Sequence, residues 1–417
     1  MYNPFAKLLN RLGPGFITGA SDNDPSGIAT YTQVGAQFGL SMVWTSIFVL
    51  PFMTAVQEMS ARIGMVAGDG VTMVLRNKYP KWLLWIFVVL ILGANTLNIG
   101  ADLGAMADSA RLLAPQIPFP VLAIFFTLLT LVLEIFITYK TYANILKWFA
   151  LTLLSYMFTA LLVTTDWRDV ISHAVIPTLS LNRDFILALV AVFGTTISPY
   201  LFIWQSHEEI EEEVAQGRTT TEMRKGATQK EMQRMRQDTV VGMTFSQIIT
   251  FFIITTAALT FFRHGLYDIQ TTAQAAQALE PLAGHFAKLL FAVGVIGTGL
   301  LAVPVLSASA SYALSDAFHW SEGLYKKFRE AHGFYGVITI STLIGLLINF
   351  VGINPIKALF WTAVVNGLVT PPIIAIMLLV ANNKKIMGKF KNGWLSNTLC
   401  GITLCVMTLA AVLLFVL

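Results

Sequence analysis

Gly13-Pro14-Gly15-Phe16-Ile17-Thr18-Gly19-Ala20-Ser21-Asp22-Asn23-Asp24-Pro25-Ser26-Gly27 begins as an apolar stretch and is broken by an acidic residue, a proline and a glycine. A uniform membrane helix does not tolerate that insert: Pro25 lacks a backbone donor, and Gly27 adds little helical stability. The apolar pattern resumes from Ile28 to Leu40. The stretch therefore reads as a discontinuous transmembrane helix whose unwound centre presents Asp24 and free carbonyls to a cation. Such a feature points to a transporter.

Composition agrees. The 417 residues are 55% hydrophobic and 12% charged, with many apolar runs near the ~20 residues that cross a bilayer. Eleven spans are expected, at about 13–39 (broken), 42–66, 82–110, 118–138, 142–164, 184–208 (broken), 238–262, 284–312, 334–352, 355–381 and 395–417. With the amino terminus inside, 21 of the 27 Lys and Arg fall at cytoplasmic ends, including six between Arg218 and Arg236; Arg111, Arg168, Arg183, Arg263, Lys288 and Lys357 do not. This asymmetry follows the positive-inside rule and places Leu417 outside. Met1 to Leu12 lacks the apolar core and cleavage site of a signal peptide. Cys400 and Cys405 share the last apolar run and form neither a zinc pattern nor a disulfide framework.

The sixth span repeats the break of the first. Asp184 to Thr196 is largely apolar, Ser198-Pro199-Tyr200 interrupts it, and Leu201 to Trp204 resumes it. Four spans separate the two breaks, which run in opposite directions, as expected for two five-helix units (about 13–164 and 184–381) in an inverted repeat. Both breaks should meet at the bilayer midplane, with 395–417 outside the symmetry of this single transporter domain, 1–417. The polar stretch His207 to Asp238 reads as a helix leaving the membrane and a second charged helix, either a solvated connector or, through Glu208 and Glu209, a vestibule that concentrates cations. His207 is expected at the surface, and the six histidines show no metal spacing.

Gly13-Pro14-Gly15-Phe16 through Asp24-Pro25 to Gln33, Gly35-Ala36-Gln37-Phe38-Gly39, together with Gln57, Arg62-Ile63-Gly64 and Gly68, resembles the NRAMP divalent-metal transporters; Tyr139-Lys140 and Ile145-Leu146-Lys147 fit the same pattern. The resemblance covers essentially the whole membrane domain. It implies an all-α polytopic protein of LeuT-like fold: a 5+5 inverted repeat with discontinuous helices 1 and 6, plus an eleventh transmembrane helix.

Departures from the family pattern concern the metal site. Asp-Pro-Gly-Asn in span one becomes Asp24-Pro25-Ser26-Gly27, and Met-Pro-His in span six becomes Ser198-Pro199-Tyr200. The Asp-x-x-Glu of span three keeps Asp102 but has Ala105 for the glutamate, and a span-ten glutamine aligns with Ala363, near Asn366 and Thr370. A thioether favours polarizable transition metals, so its loss weakens selection against Mg²⁺. Magnesium keeps several waters and needs volume, which Gly27 and Ser198 leave. The combination resembles the NRAMP-related magnesium transporters, a prokaryotic branch, and implies transport of Mg²⁺, and also Mn²⁺, by alternating access without proton coupling, in a cell inner membrane.

The candidate metal positions are Asp24, Gly27, Ser21, Thr195, Ser198 and Asn366. Asp24 is the charged ligand; an intramembrane carboxylate is costly unless functional. Ser21 and Thr195 could offer carbonyls. Ser198 could ligate, bridge through water, or bond back to its own helix. Asp22 and Asn23 either line the outer approach or cap a helix, Asp102 is either a proton-path remnant or a packing group, and Glu58 and Glu134 are expected to pair with local Arg or Lys. The metal is cargo, not a cofactor, and the chain is expected to act as a monomer in the lipid bilayer without a nucleic-acid partner. No nucleophile–base pair, His-Glu-x-x-His or Walker loop occurs, so neither an enzyme nor an ATP-driven pump is indicated. The alternatives are a proton-coupled Mn²⁺/Fe²⁺ importer and a sodium-coupled carrier of organic solutes, whose anionic substrate Asp24 would repel.

Overall fold

The computed structural model describes residues 13–137 and 151–417, and among them every regular element is helical. Thirteen helices frame the structure: α1 (Pro14–Ser21), α2 (Pro25–Phe38), α3 (Leu50–Ala67), α4 (Lys81–Arg111), α5 (Phe119–Phe136), α6 (Leu154–Val163), α7 (Arg183–Thr196), α8 (Pro199–Ala215), α9 (Gln229–Thr260), α10 (Ala287–Phe318), α11 (His332–Ile348), α12 (Pro355–Asn382) and α13 (Trp394–Val416). Each expected span coincides with one helix or one broken pair. The fifth, at 142–164, is described only from 151 onward, so Tyr139-Lys140 and Ile145-Leu146-Lys147 lie outside the described residues.

Local chemistry sets the helix ends. The Thr228 hydroxyl and the Glu231 carboxylate form a reciprocal capping box at the start of α9, and Asn182 and Asn354 cap α7 and α12 by accepting from Phe185 N–H and Lys357 N–H. Proline opens α1, α2, α8 and α12, where no backbone donor is required.

Both broken helices lie against an unbroken partner: α1 and α2 lie on α9, and α7 lies on α12. Small residues permit these contacts. A Cβ on Gly19 would come within 2.2 Å of the Gly242 carbonyl oxygen on α9, and one on Gly194 within 1.9 Å of the Ala363 carbonyl oxygen on α12. Backbones that close exclude any larger side chain and hold the breaks in register. α4 runs through the centre against α10, α11 and α12. Outside, Val121, Phe125, Leu128 and Val132 on α5, Ile340 and Leu347 on α11, and Leu409 and Val412 on α13 are exposed, as an apolar belt against lipid tails requires. Cys400 on α13 is buried and Cys405 is exposed.

One end of the bundle collects the basic connectors. Lys78, Arg218, Lys225, Lys385 and Lys389 surround a cavity of about 1010 Å³. Toward this end Glu58 pairs with Arg62 and Arg236, as expected of a local ion pair. Glu134 differs from that expectation: it is buried and accepts from the Ser307 hydroxyl at 2.8 Å, with no cation paired to it among the described residues.

Candidate metal site

The break between α1 and α2 is built by Asp24 itself. Its backbone is extended (φ −68°, ψ 173°), and its side chain accepts the Gly27 N–H at 2.6 Å, capping α2 while Pro25 occupies the first helical position. One carboxylate oxygen is therefore spent on the helix end. The other receives Asn98 Nδ2 at 3.1 Å and lies 3.4 Å from the Tyr200 hydroxyl. That hydroxyl also reaches the Ser21 carbonyl oxygen, at 3.2 Å, and its single proton serves one acceptor at a time.

The second break brings its own carbonyls. Helix α7 ends at Thr196, and Ser198 is extended (φ −81°, ψ 134°) ahead of Pro199. The Ser198 hydroxyl lies 2.8 Å from both the Gly194 and Thr195 carbonyl oxygens, so of the three roles open to it the structure records the bond back to its own helix. The Thr370 hydroxyl on α12 reaches the Ile197 carbonyl oxygen at 3.0 Å and the Asn366 carbonyl oxygen at 2.7 Å. Each hydroxyl has one proton and serves one of its two carbonyls at a time; the Asn366 carbonyl, inside α12, also accepts its own helical bond, whereas the Thr195 carbonyl has Pro199 four residues on and receives no helical N–H from it.

The two breaks meet. A Cβ on Gly27 would lie 3.3 Å from the Asp22 carbonyl oxygen and 3.4 Å from both Thr195 Oγ1 and Tyr31 Cε2. Tyr31 in turn bonds Thr196 at 2.9 Å. Ser21, Asp24, Gly27, Thr195 and Ser198 thus share one locus. Asn366 is buried one turn before Thr370, with its carbonyl joined to the same network. All are closed off from solvent, with Asp24 2% exposed.

Two further carboxylates stand close by. Asp102 is one helical turn beyond Asn98, is fully buried, has neither oxygen in close hydrogen-bond geometry with a donor among the described residues, and lies within electrostatic reach of Asp24 and near the Ser26 N–H. Asp22 is the C-cap residue of α1, its N–H donating to the Thr18 carbonyl at 3.1 Å, and its side chain accepts from the Ser246 hydroxyl on α9, which also receives Asn23 Nδ2 at 3.1 Å. No ion pair among the described residues involves Asp22, Asp24 or Asp102. Three carboxyl groups concentrated in an apolar interior are costly as ions unless each gains a countercharge or holds a proton. Ala105 borders a cavity of about 10 Å³ with Pro25, Ile28 and Ser109, room for roughly one water.

Asn98 is the residue that the motif comparison missed. Its signal lay in the sequence, because a polar group four residues before Asp102 shares its helix face.

The profile of the Nramp family, "Natural resistance-associated macrophage protein-like", matches residues 15–417. The chain belongs to this family. Among its relatives are the divalent metal cation transporters MntH of Caldanaerobacter subterraneus subsp. tengcongensis, 26% identical over 396 residues (92% of this chain and 87% of the relative), and of Klebsiella pneumoniae subsp. pneumoniae, 24% identical (92% and 88%). A crystal structure of the Eremococcus coleocola manganese transporter, in complex with an aromatic bis-isothiourea substituted compound, superposes with a TM-score of 0.78 at 16% identity, covering 98% of this chain and 87% of that one. The transporter Mhp1 in its inward-facing conformation is similar at a TM-score of 0.51 and 13% identity, covering 97% and 87%. The fold of this Nramp member is thus LeuT-like: all-α, an inverted repeat with helices 1 and 6 broken, plus an eleventh helix. Its relatives are transporters, and the chain is not an enzyme.

Proposed function

We propose that this chain carries divalent metal ions across a membrane by alternating access, with Mg²⁺ among its substrates and without a coupled proton. Asp24 at the meeting of the two breaks carries the reading: a carboxylate buried without a Lys or Arg partner among the described residues, beside backbone carbonyls, suits a hard cation. The Mg²⁺ assignment rests on position 198, where the hydroxyl supplies no soft ligand, and on Gly27, which contributes no side-chain ligand where the family pattern has asparagine; the surroundings of Gly27 are closely packed, so the room expected there for retained water is not seen. A second reading, proton-coupled Mn²⁺ transport, draws on the names of the MntH relatives and of the Eremococcus coleocola transporter.

Residues 13–164 and 184–381 are taken as the two repeat units, with 395–417 outside them. The end that gathers Lys78, Arg218, Lys225, Lys385 and Lys389 is assigned to the cytoplasm by the positive-inside rule, in a bacterial inner membrane and as a monomer, with the carboxyl terminus outside. Uptake of Mg²⁺, Mn²⁺ and Ca²⁺ into proteoliposomes, measured side by side, tests the proposal. Saturable Mg²⁺ uptake is expected; uptake of Mn²⁺ that Mg²⁺ neither matches nor inhibits would return the assignment to the second reading.

A further inference from the structure

We propose that His207, Asp316 and Glu322 form a second metal site, which takes a borderline divalent ion such as Zn²⁺ and stands apart from the cargo site at Asp24. His207 was expected at the surface, yet it is 2% exposed on α8, facing Asp316 at the end of α10 (1% exposed) and Glu322 in the loop that follows. One ligand atom from each of the three lies within 4.8 Å of the other two.

The imidazole is oriented as a ligand. Its Nδ1 lies 2.9 Å from the Ile203 carbonyl oxygen, an acceptor, so Nδ1 carries the proton. The Ser206 hydroxyl, 3.4 Å from the same nitrogen, is within 2.9 Å of that carbonyl too. Nε2 is left aimed at the two acids, 3.3 Å from Asp316 Oδ2 and 3.7 Å from Glu322 Oε1, and is in hydrogen-bond geometry with no group among the described residues. Asp316 Oδ1 and Glu322 Oε2 are likewise buried and receive no amide, hydroxyl or cationic donor among the described residues, the two acids lying within interaction distance of each other. A backbone carbonyl on the far nitrogen is the usual outer partner of a metal-bound histidine, because it fixes the tautomer and the ring plane. Bonds of about 2.0–2.2 Å at tetrahedral angles separate ligand atoms by roughly 3.3–3.6 Å, close to the two spacings seen.

The surroundings hold this geometry. Tyr312 stacks on the ring with centroids 4.0 Å apart, and its hydroxyl donates to Glu211 at 2.6 Å. The Met73 N–H donates to Asp316 Oδ2 at 3.1 Å. At Gly70 a Cβ would fall 2.3 Å from His207 Nε2, so only glycine leaves the nitrogen accessible there. Imidazole with two carboxylates favours Zn²⁺ and its transition-metal neighbours over Mg²⁺, which prefers oxygen and water. An ion so held ties α8 to α10 and to the loop beyond it.

Binding is tested on the purified full-length chain carrying Asp24→Ala, so that the cargo site is silent and Mg²⁺ transport plays no part in the readout. Co²⁺ serves as the probe. About one Co²⁺ per chain, with the visible bands of a tetrahedral N/O site and displacement by Zn²⁺ but not by Mg²⁺, is expected. His207→Gln in the same background should weaken binding by roughly tenfold or more, and Glu322→Gln, a loop change independent of helix packing, should weaken it as well. No Co²⁺ bound, or equal binding with and without Glu322→Gln, would leave a purely structural polar contact between the imidazole and the two acids as the account of this cluster and overturn the proposal.

Discussion

Two polar clusters lie within one helical bundle and differ in what they offer a cation. At the paired breaks, Asp24 is met by the Gly27 N–H, the Asn98 amide and the Tyr200 hydroxyl, which also reaches the Ser21 carbonyl, and no imidazole among the described residues bonds to the acid. Farther along α8, His207 turns an imidazole nitrogen toward two carboxylates. Position 200 carries Tyr, and the histidine of α8 stands two turns farther on, away from Asp24. The comparison teaches that ion preference follows from which side chain stands at each turn of a shared scaffold: relatives with a common fold need not share a metal.

The harshest test of this contrast is Asp24→Ala, which should reduce uptake of every divalent ion to the level of empty liposomes while leaving Co²⁺ binding at His207 intact. Substantial Mg²⁺ uptake by a well-folded Asp24→Ala protein would move the cargo site elsewhere.

A smaller effect is expected from making the first cluster softer. Ser198→Met with Gly27→Asn restores the family's ligand types, and the 3.3–3.4 Å contacts around a Cβ at Gly27 require a shift of only a few tenths of an ångström. Competition uptake should move toward Mn²⁺ or Cd²⁺ over Mg²⁺ by about tenfold, roughly 1.4 kcal/mol. An unchanged preference in a double variant that still transports would separate selectivity from these positions.

Smaller still are the changes to Asp24's neighbours. Asn98→Ala removes the donor at 3.1 Å and should raise the apparent Kd for Mg²⁺ by about fivefold, near 1 kcal/mol. Tyr200→Phe removes a hydroxyl at 3.4 Å, at the edge of bonding distance, and should cost less than about threefold. Isothermal titration of both variants decides their order, and the reverse order would mean that Tyr200 positions the carboxylate.

Proline after a polar residue in two apolar runs was enough to place both breaks, because a missing donor interrupts a membrane helix wherever it occurs. Lys and Arg were enough to group the connectors that meet around the basic cavity. Side-chain direction was less legible. Ser198 reads as a candidate ligand until its hydroxyl is found on the Gly194 and Thr195 carbonyls, a choice made by χ1 and the local turn. His207 reads as a surface residue because acidic residues follow it; its burial depends on the remote α10 and the loop at Glu322, joined only by tertiary packing. Asn98 was legible by helical spacing from Asp102 and needed only the face to be considered.

Whether a proton accompanies the metal is the most direct measurement. By the sequence resemblance, Tyr200 and Ala105 stand where the family pattern has histidine and glutamate; tyrosine ordinarily titrates near pH ~10 and alanine has no proton to exchange, so neither is expected to cycle near neutrality. The membrane potential alone supplies roughly 2.3 kcal/mol per charge per 100 mV, hence about 4.6 kcal/mol for a divalent ion. Proteoliposomes with an internal pH dye and an imposed inside-negative potential should accumulate Mg²⁺ with no change in internal pH beyond that of empty vesicles. Acidification that depends on Mg²⁺ and on the protein would contradict uncoupled transport and require another buried acid, with Asp102 the first to replace by Asn.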